Sequence, residues 1–244
     1  MDIPILTGIT SGEGIMSTAA LLSNDDILNE VKTDFENKFP LMLSYDHWDK
    51  KKQNEITKAF LGFYLKNGHD YHKLNHQNFT DMFSDSEFVA GFDEFLEKRL
   101  SEKAAPTYAY IFDFTSTNSL SMVIGGGDFN YGVCHGDDIQ MFFPVHKMFG
   151  MKENCDGNCL ILRDALTEMW VNFAVYGNPT PDDKYKKWEP TTKYPWNYAH
   201  LGGIEDDGFF VLKNKKEYGT DRFNFWKSLK PHIENTEHTM HTEL

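Results

Sequence analysis

Two polar side chains in this sequence lie in glycine-flanked turns and are candidates for proton-transfer chemistry. His135 lies in GVCHGDDIQ (132–140), between Gly132 and Gly136. Neutral imidazole is the usual proton carrier near pH 7, and a glycine-rich turn leaves its ring reachable. Glu13 lies between Gly12 and Gly14. A carboxylate orients an imidazole and stabilises the imidazolium, so acid and histidine are two thirds of a nucleophilic triad.

Each candidate also has a simpler interpretation. Glu13 would then be a solvated loop acid, and His135 would only complete a turn. The neighbouring Asp137 and Asp138 are expected to be solvated or structural, because adjacent residues rarely orient each other's side chains. Aromatic residues follow the histidine turn and could line an acyl pocket, although core packing is the preferred interpretation: Met141, Phe142 and Phe143.

Both candidates follow segments that are predicted to be β-strands. IPILTGI (3–9) is short, apolar and rich in β-branched residues, which predicts a buried strand that ends in the turn containing Glu13. TYAYIFDF (107–114) predicts a second buried strand. Residues 115–131 are rich in serine, asparagine and glycine and predict a long surface loop leading to His135. Open α/β sheets place functional groups at such strand ends.

Helices are predicted between the two strands. The first starts at a cap formed by Asn24 or Asp25 and stops at Pro40, and the second runs from about Lys51 to Asn67 and ends at Gly68. A third begins with the capping-box spacing Ser84–Glu87 and carries an apolar stripe that indicates core packing: Phe88, Phe92, Phe95, Leu96 and Leu100.

The rest of the chain predicts one clear helix at 158–176, stopped by Gly177-Asn178-Pro179, then short strands near 194–201 and 209–212 and a terminal helix around 221–230. Residues 231–244 are polar and non-periodic and are predicted to be a tail. This order of elements suggests the second half of an α/β fold, because too few strands are found for a complete doubly wound sheet.

Composition narrows the classes of function. A net charge of −13 argues against nucleic acid and anionic membranes as partners. No apolar run is long enough to span a bilayer, and the first residues do not resemble an export signal. The three cysteines lack metal-site spacing, so free thiols or one local disulfide are expected, and no structural metal.

Two features nevertheless indicate the secretory pathway. Asn78-Phe79-Thr80 is an N-glycosylation sequon, and the terminal HTEL (241–244) is one variation on a retrieval signal of the endoplasmic reticulum. We therefore expect Asn78 as a glycosylation site and the endoplasmic reticulum lumen or the secretory pathway as the location.

A triad also needs a nucleophile. In the order acid then histidine, a serine on a G-x-S-x-G turn is expected before Glu13, but no serine of this sequence has that pattern. His200-Leu201-Gly202-Gly203 lies on the wrong side of the histidine turn to supply oxyanion donors. Nucleophile and oxyanion donors are therefore expected upstream of the chain.

Several motifs, in order, resemble the C-terminal half of the type-B carboxylesterases, the family of cholinesterases and juvenile hormone esterases. They are TGITSGEG (7–14), FSDSEF (83–88), APTYAYIFDF (105–114), GVCHGDDIQMFF (132–143), WVNFAVYGNPTP (170–181), Trp188 and RFNFWKSL (222–229). The family also includes esterases of the endoplasmic reticulum that end in His-x-Glu-Leu.

The resemblance implies an α/β-hydrolase fold, present as its C-terminal half in residues 1–230. It also implies hydrolysis of a small-molecule ester without a cofactor, with Glu13 as the catalytic acid and His135 as the catalytic histidine. Without the missing N-terminal half, the chain is expected to be inactive. The alternative is a non-catalytic binding protein of the same fold, like the adhesion relatives of the cholinesterases; such relatives commonly lose triad members, whereas Glu13 and His135 are both retained.

Overall fold

A four-stranded sheet organises the protein. The computed structural model describes residues 3–65, 71–72, 75–102, 105–116, 119–127, 129–150, 155 and 157–234. The strands are β1 (Ile5–Thr10), β2 (Thr107–Phe112), β3 (Asn197–Glu205) and β4 (Gly208–Lys216), in the order β1-β2-β3-β4. The first three are parallel, and β4 returns antiparallel to β3. Parallel strands put their carboxyl ends at one edge of the sheet, where the loops after β1 and β2 meet.

Helices surround this sheet. They are α1 (Ile15–Leu22), α2 (Asp25–Thr33), α3 (Phe35–Met42), α4 (Lys50–Tyr64), α5 (Gln77–Ser84), α6 (Ala90–Ser101), α7 (Leu120–Ile124), α8 (Asn158–Tyr176) and α9 (Thr220–Glu234). A π-helical turn (Asp85–Val89) joins α5 to α6, and two 3-10 turns lie at Ile139–Met141 and Val145–Phe149. The predicted helix at 158–176 is confirmed as α8; it ends at Gly177 in the left-handed conformation, which glycine adopts without a steric penalty.

The two predicted strands at 3–9 and 107–114 are confirmed as β1 and β2, with one difference in burial. β2 is buried along its whole length because it lies between β1 and β3. In β1 only Ile9 and Thr10 are buried, whereas a buried strand was expected. The reason is its position, since β1 is an edge strand of the sheet formed by the described residues.

The prediction of a single helix stopped by Pro40 is wrong. The side chain of Asn24 caps α2 by accepting from the backbone N–H groups of Asp26 and Ile27, as expected, but a new helix starts at Phe35 and contains Pro40. Proline lacks an N–H and would leave the Glu36 carbonyl without its helical donor. The ammonium of Lys50 donates to that carbonyl at 3.1 Å instead.

The predicted helix start at Ser84–Glu87 is also wrong. The chain is already helical from Gln77, and Ser84 makes no side-chain cap. Its hydroxyl instead accepts a hydrogen bond from the backbone N–H of Gly14, at 2.8 Å. A long-range contact therefore occupies the group that local spacing assigned to a capping box.

The loop predicted at 115–131 contains a short helix, α7, and is only partly a surface loop. Ser119 and Ser121 are fully buried, and the Ser119 side chain caps α7 by accepting from the N–H of Ser121.

The described residues include no helix long and apolar enough to cross a membrane. The second predicted helix ends at Tyr64 and not near Asn67, and α9 continues to Glu234, into the segment that was predicted to be a tail. Gly68 and the terminal HTEL lie outside the described residues.

Candidate active site

The turn after β1 holds the Glu13 carboxylate in a fixed position. The backbone N–H of Thr10 donates to Glu13 Oε1 at 2.6 Å, and the side chain is only 5% exposed. Close packing explains both flanking glycines. A Cβ at Gly12 would lie 2.8 Å from the Val133 carbonyl oxygen, and a Cβ at Gly14 would lie 2.3 Å from the backbone nitrogen of Ser84.

The histidine turn is held against this acid turn by backbone contacts. Gly12 and Cys134 form a parallel bridge, so the two loops lie side by side. The Asp137 carboxylate closes the histidine turn: Oδ2 accepts from the N–H of Cys134 and Oδ1 from the N–H of Leu120, both at 2.8 Å. Asp137 is 1% exposed, so its predicted structural role is confirmed and the solvated alternative is wrong.

Glu13 and His135 meet although 122 residues separate them. Nδ1 of His135 lies 2.6 Å from Glu13 Oε2, a distance typical of a hydrogen bond to a carboxylate. With Nδ1–H as donor to the acid, Nε2 is left to accept a proton. Nε2 has no hydrogen-bond partner within the described part of the chain, and the imidazole side chain is 44% exposed. This geometry is that of a proton carrier oriented by an acid.

The charge around His135 favours its protonated form. The hydrogen bond to Glu13 raises the pKa of His135, burial lowers it, and the charges of Glu13, Asp138 and Glu87 raise it further, so that it lies above its ordinary value. A histidine with a raised pKa stabilises the fold most below its unfolded pKa, and this contribution is lost as the pH rises through the folded value. It also accepts protons readily, as a general base requires.

Asp138 anchors the histidine turn to the sheet. Its Oδ2 accepts a hydrogen bond from the hydroxyl of Tyr110, in β2, at 2.8 Å. The Tyr110 ring lies directly over Gly8 in β1, where a Cβ would come within 2.3 Å of the ring. Asp138 contacts Tyr110 and not the imidazole, so it supports the loop in which His135 lies.

Met141, Phe142 and Phe143, which were expected either in an acyl pocket or in the core, differ in their burial. Met141 is buried in the core, and the Phe142 ring packs against Trp170 at a centroid distance of 4.9 Å. Phe143 is 63% exposed. These residues and α8 line a cavity of about 650 Å³.

A hydrogen-bond network beside the site escaped sequence analysis. The Ser11 hydroxyl donates to Asp113 Oδ1, and His200 Nε2 lies 2.9 Å from Asp113 Oδ2. Burial raises the pKa of Asp113, but the hydrogen bonds from His200 and Ser11 outweigh it, so the pKa lies below its ordinary value. Ser11 hydrogen-bonds to the carboxylate of Asp113 and not to the imidazole of His200, so the network links the ends of β1 and β2 to β3. Only the strand register brings these residues together.

Two local features bear on where the protein is made. Cys155 and Cys159 form a disulfide at the start of α8, which is the local disulfide that the sequence left open, and Cys134 is a buried free thiol. Asn78 of the sequon is exposed at the beginning of α5.

The described residues contain no cluster of histidine, cysteine and acidic side chains that could hold a metal ion.

Comparison with known proteins identifies the family. The model of the carboxylesterase family matches residues 1–226. The chain belongs to the carboxylesterase family. Among its relatives in this family are a carboxylic ester hydrolase of Bombus ignitus, 24% identical over 231 residues, and a juvenile hormone esterase of Tribolium castaneum, 25% identical over 241 residues. Each alignment covers 93% of this chain and 40% of the relative.

The fold agrees with this membership. The crystal structure of juvenile hormone esterase from Manduca sexta, with OTFP covalently attached, matches with a TM-score of 0.68 and 22% identity. The match covers 94% of this chain and 41% of the chain in that structure. The mostly parallel sheet with packed helices is therefore part of an α/β-hydrolase fold, as predicted. The chain spans about two fifths of the length of these relatives.

Proposed function

We propose that this chain supplies the acid and the histidine of a serine carboxylic-ester hydrolase, with Glu13 orienting His135 and His135 moving the proton. The observation that carries the proposal is the 2.6 Å contact between His135 Nδ1 and Glu13 Oε2, together with a half-exposed ring whose Nε2 is open to a reactant. Membership in the carboxylesterase family supports an ester as the substrate class.

In the proposed reaction a serine hydroxyl attacks the carbonyl carbon of a small-molecule ester while Nε2 of His135 takes its proton. The imidazolium then gives this proton to the leaving alcohol. A water molecule repeats the sequence on the acyl-enzyme, which releases the carboxylic acid and restores the serine. Glu13 stabilises the imidazolium in each half and keeps Nδ1 protonated.

The nucleophile and the oxyanion donors are proposed to come from a segment outside this sequence. Two observations support this proposal: no serine has the G-x-S-x-G pattern, and the chain aligns with 40% of its relatives' length. Within the described ranges, no serine hydroxyl hydrogen-bonds to His135. The edge strand β1 offers unpaired backbone groups, and we propose that the missing segment adds its strands there.

The decisive experiment uses the full-length parent protein and a short-chain aryl ester. We expect His135→Ala to reduce kcat by roughly 10³-fold or more. Glu13→Gln should reduce it less, and it should also move the acid limb of the kcat/KM profile to lower pH, because the hydrogen bond that raises the pKa of His135 is weakened.

Full activity of the His135→Ala parent would refute the assignment. The 244-residue chain alone should show no serine-type esterase turnover, and measurable turnover would refute the proposed division of the site. A parent that lacks a G-x-S-x-G serine and does not hydrolyse esters would instead favour a binding protein of this fold.

We further propose that the protein is made in the secretory pathway. The disulfide Cys155–Cys159 and the exposed sequon residue Asn78 support this location, because disulfides persist in oxidising compartments. A relative from Apis mellifera, 24% identical over 237 residues, is named a venom carboxylesterase. Retention in the endoplasmic reticulum lumen through the terminal HTEL is tested by deleting 241–244, which should increase secretion from insect cells.

A further inference from the structure

An aromatic ring outside the hydrophobic core lies against the imidazole of His135. The rings of Phe88 and His135 are stacked with centroids 4.5 Å apart and an interplanar angle of 25°. Phe88 is half-buried, and it does not belong to any of the hydrophobic clusters formed by the described residues. The apolar stripe predicted for residues 88–100 is thus not core packing at its first position, and this phenylalanine needs another explanation.

Phe88 lies within the π-helical turn. In this turn the backbone N–H of Ala90 donates to the Asp85 carbonyl, five residues earlier. Such turns are rare in proteins and are concentrated at functional sites.

The same turn is fixed to the acid loop and to the rest of the protein. Ser84 accepts from the N–H of Gly14, next to Glu13, at 2.8 Å. Asp85 is 1% exposed; it accepts from the Tyr64 hydroxyl at 2.7 Å and lies 3.4 Å from Arg222 Nε. Ser84 at the end of α5 therefore contacts the loop of Glu13, and Phe88 in the adjoining π-helical turn contacts the ring of His135.

We propose that Phe88 is a positioning residue for His135: its ring, fixed by the π-helical turn, keeps the imidazole in one orientation and stabilises the imidazolium that forms during proton transfer. This inference rests on the proposed function. Stacking restricts rotation of the imidazole about its bond to Cβ, so Nδ1 stays on Glu13 and Nε2 stays free. The face of an aromatic ring also attracts a cation, and this attraction is absent for neutral imidazole.

The electrostatic surroundings allow the contribution of the ring to be isolated. The charged groups that act on His135 are carboxylates: Glu13, Glu87 and Asp138. All of them remain when Phe88 is replaced, and Glu87 has its own partner in the Ser17 hydroxyl, at 2.6 Å. Burial lowers the pKa of His135, so greater exposure of the imidazole in the variant would raise this pKa. A decrease in the pKa of His135 after Phe88→Leu therefore reports the lost ring.

The experiment is an NMR titration of the His135 imidazole protons in the full-length parent protein. We expect Phe88→Leu to lower the pKa by about 0.5. Phe88→Tyr keeps the ring and should leave the pKa unchanged. Phe92→Leu is the matched control, because Phe92 lies one turn further along the same helical segment and packs against Trp196, away from the site.

In the full-length esterase, Phe88→Leu should reduce kcat by about threefold with KM unchanged, since the loss falls on the imidazolium formed in the transition state. Phe88→Tyr should restore kcat. If Phe88→Leu does not fold, Phe88→Met removes the ring with a side chain that adapts to irregular space.

The two proposals fail separately. An identical pKa of His135 in the wild type and in the variant without the ring would overturn the role of Phe88, whatever the activity. An equal decrease in the Phe92→Leu control would also overturn it. A pKa that falls as expected, together with a full-length parent that hydrolyses no ester, would leave the stacking role intact and refute the proposed function.

Discussion

Replacing Asp137 by asparagine is expected to destabilise the protein strongly, although the change removes no atom from the core. Burial raises the pKa of Asp137 to about 6, and hydrogen bonds from Ser119, Leu120, Cys134 and Gln140 oppose this rise. The group is therefore mainly ionised at pH 7. Asparagine retains only one acceptor oxygen, and its side-chain NH2 group is itself a donor that would face the buried N–H of Cys134.

The magnitude follows from the contacts that are lost. The raised pKa shows that burial disfavours the charge of Asp137, so losing the charge by itself adds no cost. The cost comes from the buried N–H of Cys134, which is left without an acceptor, so we expect Asp137→Asn to lower the free energy of unfolding by about 1–3 kcal/mol at pH 7.

The assay is urea unfolding of the 244-residue chain followed by circular dichroism. Asp164→Asn is the matched control: it removes the same charge from an exposed position on α8 and should change the free energy by less than about 0.5 kcal/mol. A difference of less than about 1 kcal/mol between the two variants would refute the idea that Asp137 holds the histidine turn together.

Further predictions concern packing, pH and modification. Gly14→Ala should destabilise by more than about 2 kcal/mol in urea unfolding, because its Cβ would lie 2.3 Å from the Ser84 backbone nitrogen, whereas Gly62→Ala, with open space around it, should stabilise α4 by up to about 1 kcal/mol. Equal effects of the two would contradict this. The pKa of Asp113 is lowered, so the ionised carboxylate stabilises the fold above its unfolded pKa, and this contribution is lost as the pH falls through the folded pKa. The loss of stability caused by Asp113→Asn should therefore become smaller below about pH 4. A loss that does not change with pH would refute a stabilising role of the Asp113 charge. When the protein is produced in insect cells, treatment with peptide-N-glycosidase should reduce the apparent mass of the wild type on a gel but not that of Asn78→Gln. An unchanged wild-type band would disprove glycosylation at this sequon.

The contact between Glu13 and His135 could be predicted from the sequence because both residues lie in glycine-flanked turns that follow strands. Parallel strands that neighbour each other bring such turns to the same edge, as β1 and β2 do here. The structure agrees with the predicted pairing of acid and histidine, and the assignment of both to catalysis stays a prediction. The extended segments of β1 and β2 and the helix α8 were predicted from patterns that are local in the chain.

Contacts between distant segments account for the errors. Ser84 has the spacing of a capping box, yet its hydroxyl binds Gly14, 70 residues earlier in the chain. Pro40 is tolerated inside α3 because Lys50 supplies the missing donor to a carbonyl. Neither partner is visible from the local pattern, because the backbone accepts any donor that the fold brings near.

The sequence by itself determined the family resemblance, the two strands before the acid and histidine turns, the turns themselves and the lack of a G-x-S-x-G serine, since these depend on residue type and short-range order. Only the tertiary structure decided that Asp137 closes the histidine turn, that Ser11, Asp113 and His200 form one network, and that Phe88 stacks on His135. These contacts depend on strand register and on the packing of segments that are far apart in the chain, neither of which a local pattern contains.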